Sequence, residues 1–194
     1  MGNENRVGPG IRGGVLSSRL KFVREKGGPE ARDRVLARLS REDQEILRGW
    51  LQGSAWYPFD LNRRLDDAIA AELSPGDRAR IFLEMGRASA EANLLASQRA
   101  FVKPGDPQFL LQGAPQIYAA YYAKGRRVYE KTGETSAVLR THDAESVTAE
   151  DCLTVVGWHV RAIELCGGKN VQVVETRCRA RGDVVCEYRC EWQT

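Results

Sequence analysis

The five cysteines of this 194-residue chain all fall between positions 152 and 190: Cys152, Cys166, Cys178, Cys186 and Cys190. An odd number confined to one end fits poorly with a disulfide framework, which takes cysteines in pairs. In a reducing compartment such clustering points to metal ligands or buried thiols. The compartment expected is the cytoplasm. Met1 to Gly14 is polar and glycine-rich and lacks the apolar core of a secretory signal. No run of 18 apolar residues exists, so no membrane insertion is expected.

Charge excludes a further class. The net charge is +3, and basic residues alternate with acids, as in Arg32-Asp33-Arg34 and Arg41-Glu42-Asp43. Such mixing makes solvated helix faces and not a phosphate-tracking patch, so no nucleic-acid partner is expected. With 42% apolar and 28% charged residues, the chain has the composition of an ordinary globular domain.

Residues 1–14 read as a flexible tail and residues 15–194 as a single domain. Pro29 opens one helix. Ser40, with Asp43 three residues on, caps a second. Asp60 caps a helix through Leu73, whose Leu61, Leu65, Ile69 and Leu73 recur every four residues. After the Ser74-Pro75-Gly76-Asp77 turn, a helix reaches to about Phe101. Its small residues, from Gly86 to Ala92, permit close helix contact. Another helix covers Phe109 to Ala123. Two short strands then flank Thr132-Gly133. Thr148 precedes a helix of residues 149–166 with an acidic first turn, and Gly167-Gly168 stops it. Strands at Asn170–Arg177 and Val185–Trp192 close the chain, the latter placing Cys186, Tyr188, Cys190 and Trp192 on one face. The fold class expected is α+β: a helical N-terminal part, then a helix packed on a small antiparallel sheet.

Glu175, Cys178 and Cys186 bracket the Gly182-Asp183 turn of that final hairpin, and Cys152 begins the helix before it. A helix packing back on the hairpin brings three thiolates and a carboxylate within reach of one zinc ion. An ideal strand points Glu175 and Cys178 to opposite faces, so the arrangement requires a bulge or a twist. Two alternatives stay open on spacing alone. Cysteine is often simply a small buried hydrophobe, and Cys190 shares a face with Cys186 and competes as a ligand.

The segment Cys152-Leu-Thr-Val-Val-Gly157-Trp158, with Glu175-Thr-Arg-Cys178 and Gly182-Asp183-Val-Val-Cys186, resembles the 4-vinyl reductase (hydrocarbon-binding) domain. That domain is also the sensor part of bacterial phenol- and xylene-responsive regulators. The resemblance covers residues 152–192. It implies zinc held structurally by Cys152, Glu175, Cys178 and Cys186, and a cavity for a small hydrophobic molecule. The whole chain is also similar to stand-alone myxobacterial proteins, through Trp56-Tyr57-Pro58, Gly157-Trp158 and Gly182 to Tyr188. The wider superfamily holds haem-based nitric-oxide sensors and the vesicle-tethering TRAPP subunits.

The candidate lining for that cavity is Trp56, Tyr118, Tyr121, Tyr122, Trp158 and His159, since tyrosine and tryptophan bring a polar handle to an apolar wall. No nucleophile elbow, phosphate loop or His-Glu-x-x-His motif is present. The expected function is a non-enzymatic sensor or binding domain that signals through a homodimer or a partner protein. One alternative is a TRAPP-like interaction module whose small-residue helix face dimerises. Another is a haem-based gas sensor with His159 as axial ligand, although the Tyr-x-Ser-x-Arg motif of the nitric-oxide sensors is missing.

Overall fold

The computed structural model describes residues 10–144 and 148–194. Strand β1 (Gly10–Arg12) pairs antiparallel with β2 (Trp56–Pro58). Helices α1 (Gly13–Ala37), α2 (Arg41–Arg48), α3 (Phe59–Leu73) and α4 (Arg78–Leu94) form the N-terminal half. Helix α5 (Pro107–Tyr121) leads into strands β3 (Arg126–Gly133) and β4 (Ser136–His142). Helix α6 (Ala149–Leu165) and strands β5 (Lys169–Arg177) and β6 (Val185–Gln193) complete the chain. The four-stranded sheet has the order β3-β4-β6-β5, and every pairing is antiparallel. The α+β expectation holds. Among the described residues no helix is long and apolar enough to cross a membrane.

Local chemistry sets most boundaries. Ser40 accepts from the Asp43 amide, Asp77 from Arg80, Asp106 from Phe109 and Thr148 from Asp151, so each of these four helices starts on a side-chain cap. The helix opened by Pro29 is the second part of α1, broken from the first at Gly28, where φ is 79°. The first part, residues 13–27, carries no strong apolar periodicity and escapes a sequence reading. Residues 1–9 of the expected tail lie outside the described residues. Its remainder is not a tail: Ile11 is buried and pairs with Tyr57, and Gly13 starts α1. Asp60 sits in the first turn of α3, two places past its N-cap Pro58, and bonds Arg63 instead. Helix α4 ends at Leu94, earlier than expected, and a 3-10 turn at Arg99–Phe101 follows.

Two apolar cores meet along α4. One joins α1, α2 and α3 to Ile81, Phe82 and Met85. The other joins Ala90 and Leu94 to α5, α6 and the inner face of the sheet, including Tyr188 and Trp192. Helices α4 and α6 cross at two interlocked glycines. A Cβ on Gly86 would stand 2.0 Å from the Thr154 carbonyl oxygen, and one on Gly157 would stand 2.1 Å from that of Leu83. Gly86 of the small-residue stretch is therefore used inside the chain, whereas Ala88 and Ala92 are part-buried and line a groove beside α1. The mixed charges of the first helices are also used inside the chain, in Arg34 and Arg38 with Glu72 and Arg64 with Asp43.

Candidate functional site

The structure brings Cys152, Glu175, Cys178 and Cys186 together, with one ligand atom from each within 4.8 Å of all the others. The three cysteines are buried. Cys152 sits in the first turn of α6, and Cys186 on β6, the strand at the centre of the closing hairpin. The expected irregularity exists: the β5–β6 register shifts between Glu175 and Arg177. Cys178 then leads into the turn at Arg179–Arg181, which Gly182 closes at φ 98°.

The sulfur spacings from Cys152 are compatible with one tetrahedral metal ion. Sulfurs bound at about 2.3 Å to one tetrahedral ion stand about 3.8 Å apart. The Cys152 Sγ lies 3.6 Å from Cys178 Sγ and 3.7 Å from Cys186 Sγ. Glu175 supplies the missing fourth donor. Its side chain is 7% exposed, Arg181 donates to Oε2 at 3.1 Å, and Oε1 is buried with no hydrogen-bond partner among the described residues. A buried carboxylate oxygen beside three thiols calls for a donor or a cation, and the Cys152 and Cys178 thiols are near enough to interact with it when no metal is held.

An outer layer of contacts orients these donors. The Cys178 amide donates to Asp183 Oδ2 at 2.8 Å, and the Arg179 amide to Cys186 Sγ at 3.4 Å. As free thiols, Cys152 and Cys186 lie in hydrogen-bond contact. The Cys152 thiol donates to Cys186, which lowers Cys186 to about 6 and drives Cys152 up, with burial adding to that rise. Cys190 is buried in the core but outside the cluster. It sits four residues beyond Cys186, about 13 Å along a strand, and so does not compete. Cys166, at the far end of α6, is a core thiol.

Two turns along α6 from Cys152, the helix lines a cavity of about 50 Å³. Five of the six expected residues are on its wall: Tyr118, Tyr121, Tyr122, Trp158 and His159. Trp56 is not. It sits on β2, 44% exposed, with the Arg12 guanidinium 3.8 Å above its ring. The β1 strand that pairs with β2 turns this tryptophan outward, and that pairing falls on residues read as tail. A second cavity of about 30 Å³ shares Arg19, Tyr122, Arg127 and Thr154 with the first.

The wall is more polar than the sequence indicated. Arg19 donates to Asp66 Oδ1 at 2.7 Å with both side chains buried, and to the Met85 carbonyl oxygen. Asn62 Nδ2 donates to Asp66 Oδ2, leaving Asn62 Oδ1 buried with no hydrogen-bond partner among the described residues. Burial outweighs Arg19 and raises the Asp66 carboxyl. His159 is fully buried, and its Nδ1 lies 2.8 Å from the Val155 carbonyl oxygen, so Nδ1 carries the proton. Its Nε2 then accepts from Arg127 Nη1 at 3.3 Å. Burial and that guanidinium lower His159 to about 3 and keep it neutral. Tyr118 donates to the Lys124 carbonyl oxygen and stacks on Tyr122, while Tyr121 bonds Ser97. Sequence reasoning missed Arg19, Asn62, Asp66 and Arg127. A signal for two of them existed: Asn62 and Asp66 follow Leu61 and Leu65 directly, at the edge of the apolar stripe of α3.

Solved structures with this fold are H-NOX proteins. The protein from S. oneidensis in the Fe(II)NO ligation state is 15% identical, with a TM-score of 0.72 over 95% of this chain and 100% of that one. The Fe(II) unliganded protein from K. algicida is 12% identical, with a TM-score of 0.68, 95% and 97% of the two chains being covered. An oxygen-binding H-NOX domain related to soluble guanylate cyclases is 12% identical with a TM-score of 0.71, covering 95% and 96%. At such identities the likeness is one of fold. None of the curated proteins compared matches the chain. A family match does exist, and its span runs from α1 to β6, taking in both the cysteine cluster and the cavity. The chain belongs to the family described as "Protein of unknown function (DUF2378)", which matches residues 14–193.

Proposed function

We propose that this protein is a non-enzymatic sensor or binding domain of the 4-vinyl-reductase type, in which a structural zinc ion anchors the helix that forms one wall of a ligand cavity. The observation that carries the proposal is the double use of α6. Cys152 on its first turn belongs to the four-donor cluster, and Thr154, Val155, Trp158 and His159 face the cavity. Four protein donors fill a tetrahedral shell, which leaves zinc no open position for catalysis. The ion fixes α6 against the closing hairpin, and a ligand that shifts α6 is felt at the hairpin and at whatever partner or second copy contacts it.

Cavity size limits the ligand. A benzene-sized molecule needs about 150 Å³ on the same scale, three times the larger cavity. The ligand is therefore smaller than an aromatic ring unless the walls move.

One solved structure of this fold is described as "Modulating Heme Redox Potential Through Protein-Induced Porphyrin Distortion". Haem does not fit the residues of this chain. The cavity is far below porphyrin size, and Arg127 caps the Nε2 that an iron would need on His159. For the interaction-module alternative, α6 already covers Gly86, and Ala88 and Ala92 are the small residues of α4 left at a surface groove.

Native mass spectrometry of protein purified from its own host tests the proposal. It should show a chain carrying one zinc and a small-molecule adduct, with apolar or amphipathic compounds raising the melting temperature. A uniformly empty chain that no small molecule stabilises would overturn it.

A further inference from the structure

Arg127 is the feature of the cavity that the zinc and ligand reading leaves unused. Its guanidinium lies where the two cavities meet and lines both. Among the described residues, its hydrogen bonds and ring contacts there are all with neutral groups. Nε donates to Thr141 Oγ1 at 3.0 Å and Nη1 to the neutral His159, while the rings of Tyr118 and Tyr188 lie 4.8 and 5.9 Å from its central carbon. Arg19, across the cavity, has Asp66. Asp151, on the first turn of α6, also lines the smaller cavity. A half-buried guanidinium whose hydrogen bonds and ring contacts, among the described residues, are with neutral groups is a ready partner for a carboxylate, which it meets with two parallel hydrogen bonds.

A second, independent observation concerns Asn62. Its Oδ1 is buried on the wall of the smaller cavity with no donor among the described residues. A buried acceptor of this kind is satisfied by a hydroxyl or a water brought in from outside. The apolar part of the larger cavity's wall is built from Val15, Ala114, Ile117 and Val155, beside the polar Ser89, Asn93 and Thr154.

We infer that the ligand of this site is a short-chain carboxylate of about three to five heavy atoms, a monocarboxylate or its hydroxy acid, with its carboxylate on the Arg127 guanidinium and its carbon chain on the apolar wall. The size follows from the two cavities, of about 50 and 30 Å³, on the scale where benzene takes about 150. The inference rests on the proposed ligand reading and narrows its chemistry. Arg127 selects charge, and the short reach of the wall selects chain length.

The test is calorimetric titration of the full chain with formate, acetate, propionate and glycolate, and with the neutral isosteres propanol and propionamide. Arg127→Gln and Arg127→Lys are titrated alongside, each checked for an unchanged circular-dichroism spectrum and melting profile. At least one acid is expected to bind the wild type. Its affinity should fall tenfold or more in Arg127→Gln and partly recover in Arg127→Lys, with no isostere matching it. Isosteres that bind as well as the acids, in wild type and Arg127→Gln alike, overturn the charge assignment and leave the ligand reading standing. Acid binding that Arg127→Gln does not weaken overturns the assignment to Arg127. If no acid and no isostere binds, this inference falls. If the host-purified chain also carries no adduct, the ligand reading falls with it.

Discussion

Replacing Gly157 by alanine sets two known effects against each other. Alanine in a helix interior is favoured over glycine by about 1 kcal/mol, so the bare expectation is a more stable protein. The structure reverses that sign. The new Cβ would lie 2.1 Å from the Leu83 carbonyl oxygen and 2.9 Å from its carbonyl carbon, where ordinary contact begins at 3.4 Å. The missing distance is about 1.3 Å, and the obstacle is helical backbone, not a side chain that can rotate away. Helices α4 and α6 must therefore separate by about 1 Å along a crossing that joins both cores. Overpacking of this kind costs about 1–3 kcal/mol on its own, and a gap of that width forfeits much of the dispersion energy of neighbouring contacts. The net expectation is a loss of about 2–4 kcal/mol, read as a lower urea midpoint at unchanged slope. Gly76→Ala is the control, because nothing lies within 4 Å of its would-be Cβ, and a change within about 0.5 kcal/mol is expected there. A Gly157→Ala protein as stable as wild type, or more so, would refute the tight crossing.

Three further outcomes are expected. Asp183→Ala removes the acceptor of the Cys178 amide and should weaken zinc binding by about 10- to 100-fold in a chelator competition; unchanged affinity would remove that contact from the site. Cys190→Ala should keep the zinc content of the wild type while losing about 1–2 kcal/mol of stability from the core; loss of zinc would mean that Cys190 is a ligand. His159, lowered to about 3 in the folded chain from an ordinary 6.5 by burial and Arg127, makes stability depend on pH. Between those values the unfolded chain binds a proton that the folded chain does not. Its contribution is therefore complete above pH 6.5 and is lost as pH falls, at up to about 1.4 kcal/mol per unit. Urea midpoints of wild type and His159→Gln at pH 7 and pH 5 should show a flatter dependence in the variant, and an equal dependence would refute the buried neutral imidazole.

Caps and periodicity made most elements legible. Ser40, Asp77 and Thr148 mark helix starts by side-chain chemistry that acts within one turn, so they are readable locally. The alternation from Cys186 to Trp192 likewise marks the buried face of β6. The cysteine and glutamate cluster was legible because its cysteines are bunched near one turn, and because a bulge or a twist was needed to align Glu175 with Cys178. What stayed hidden depends on distant pairing. The β1–β2 ribbon is made by residues 46 positions apart, so a glycine-rich start read as a tail and Trp56 read as cavity wall. The polar half of the cavity was hidden for a similar reason. Arg19, Asp66 and Arg127 look like surface charges in sequence, and only the packing of α1, α3 and β3 around one space turns them inward.

The zinc content of freshly purified wild type and Cys178→Ala, measured by plasma mass spectrometry on protein never exposed to chelator, tests the metal-anchored account most directly. About one zinc per wild-type chain and none in Cys178→Ala is the expected result. Wild-type protein without zinc would contradict the account and leave Cys152, Cys178 and Cys186 as core thiols beside a buried carboxylate.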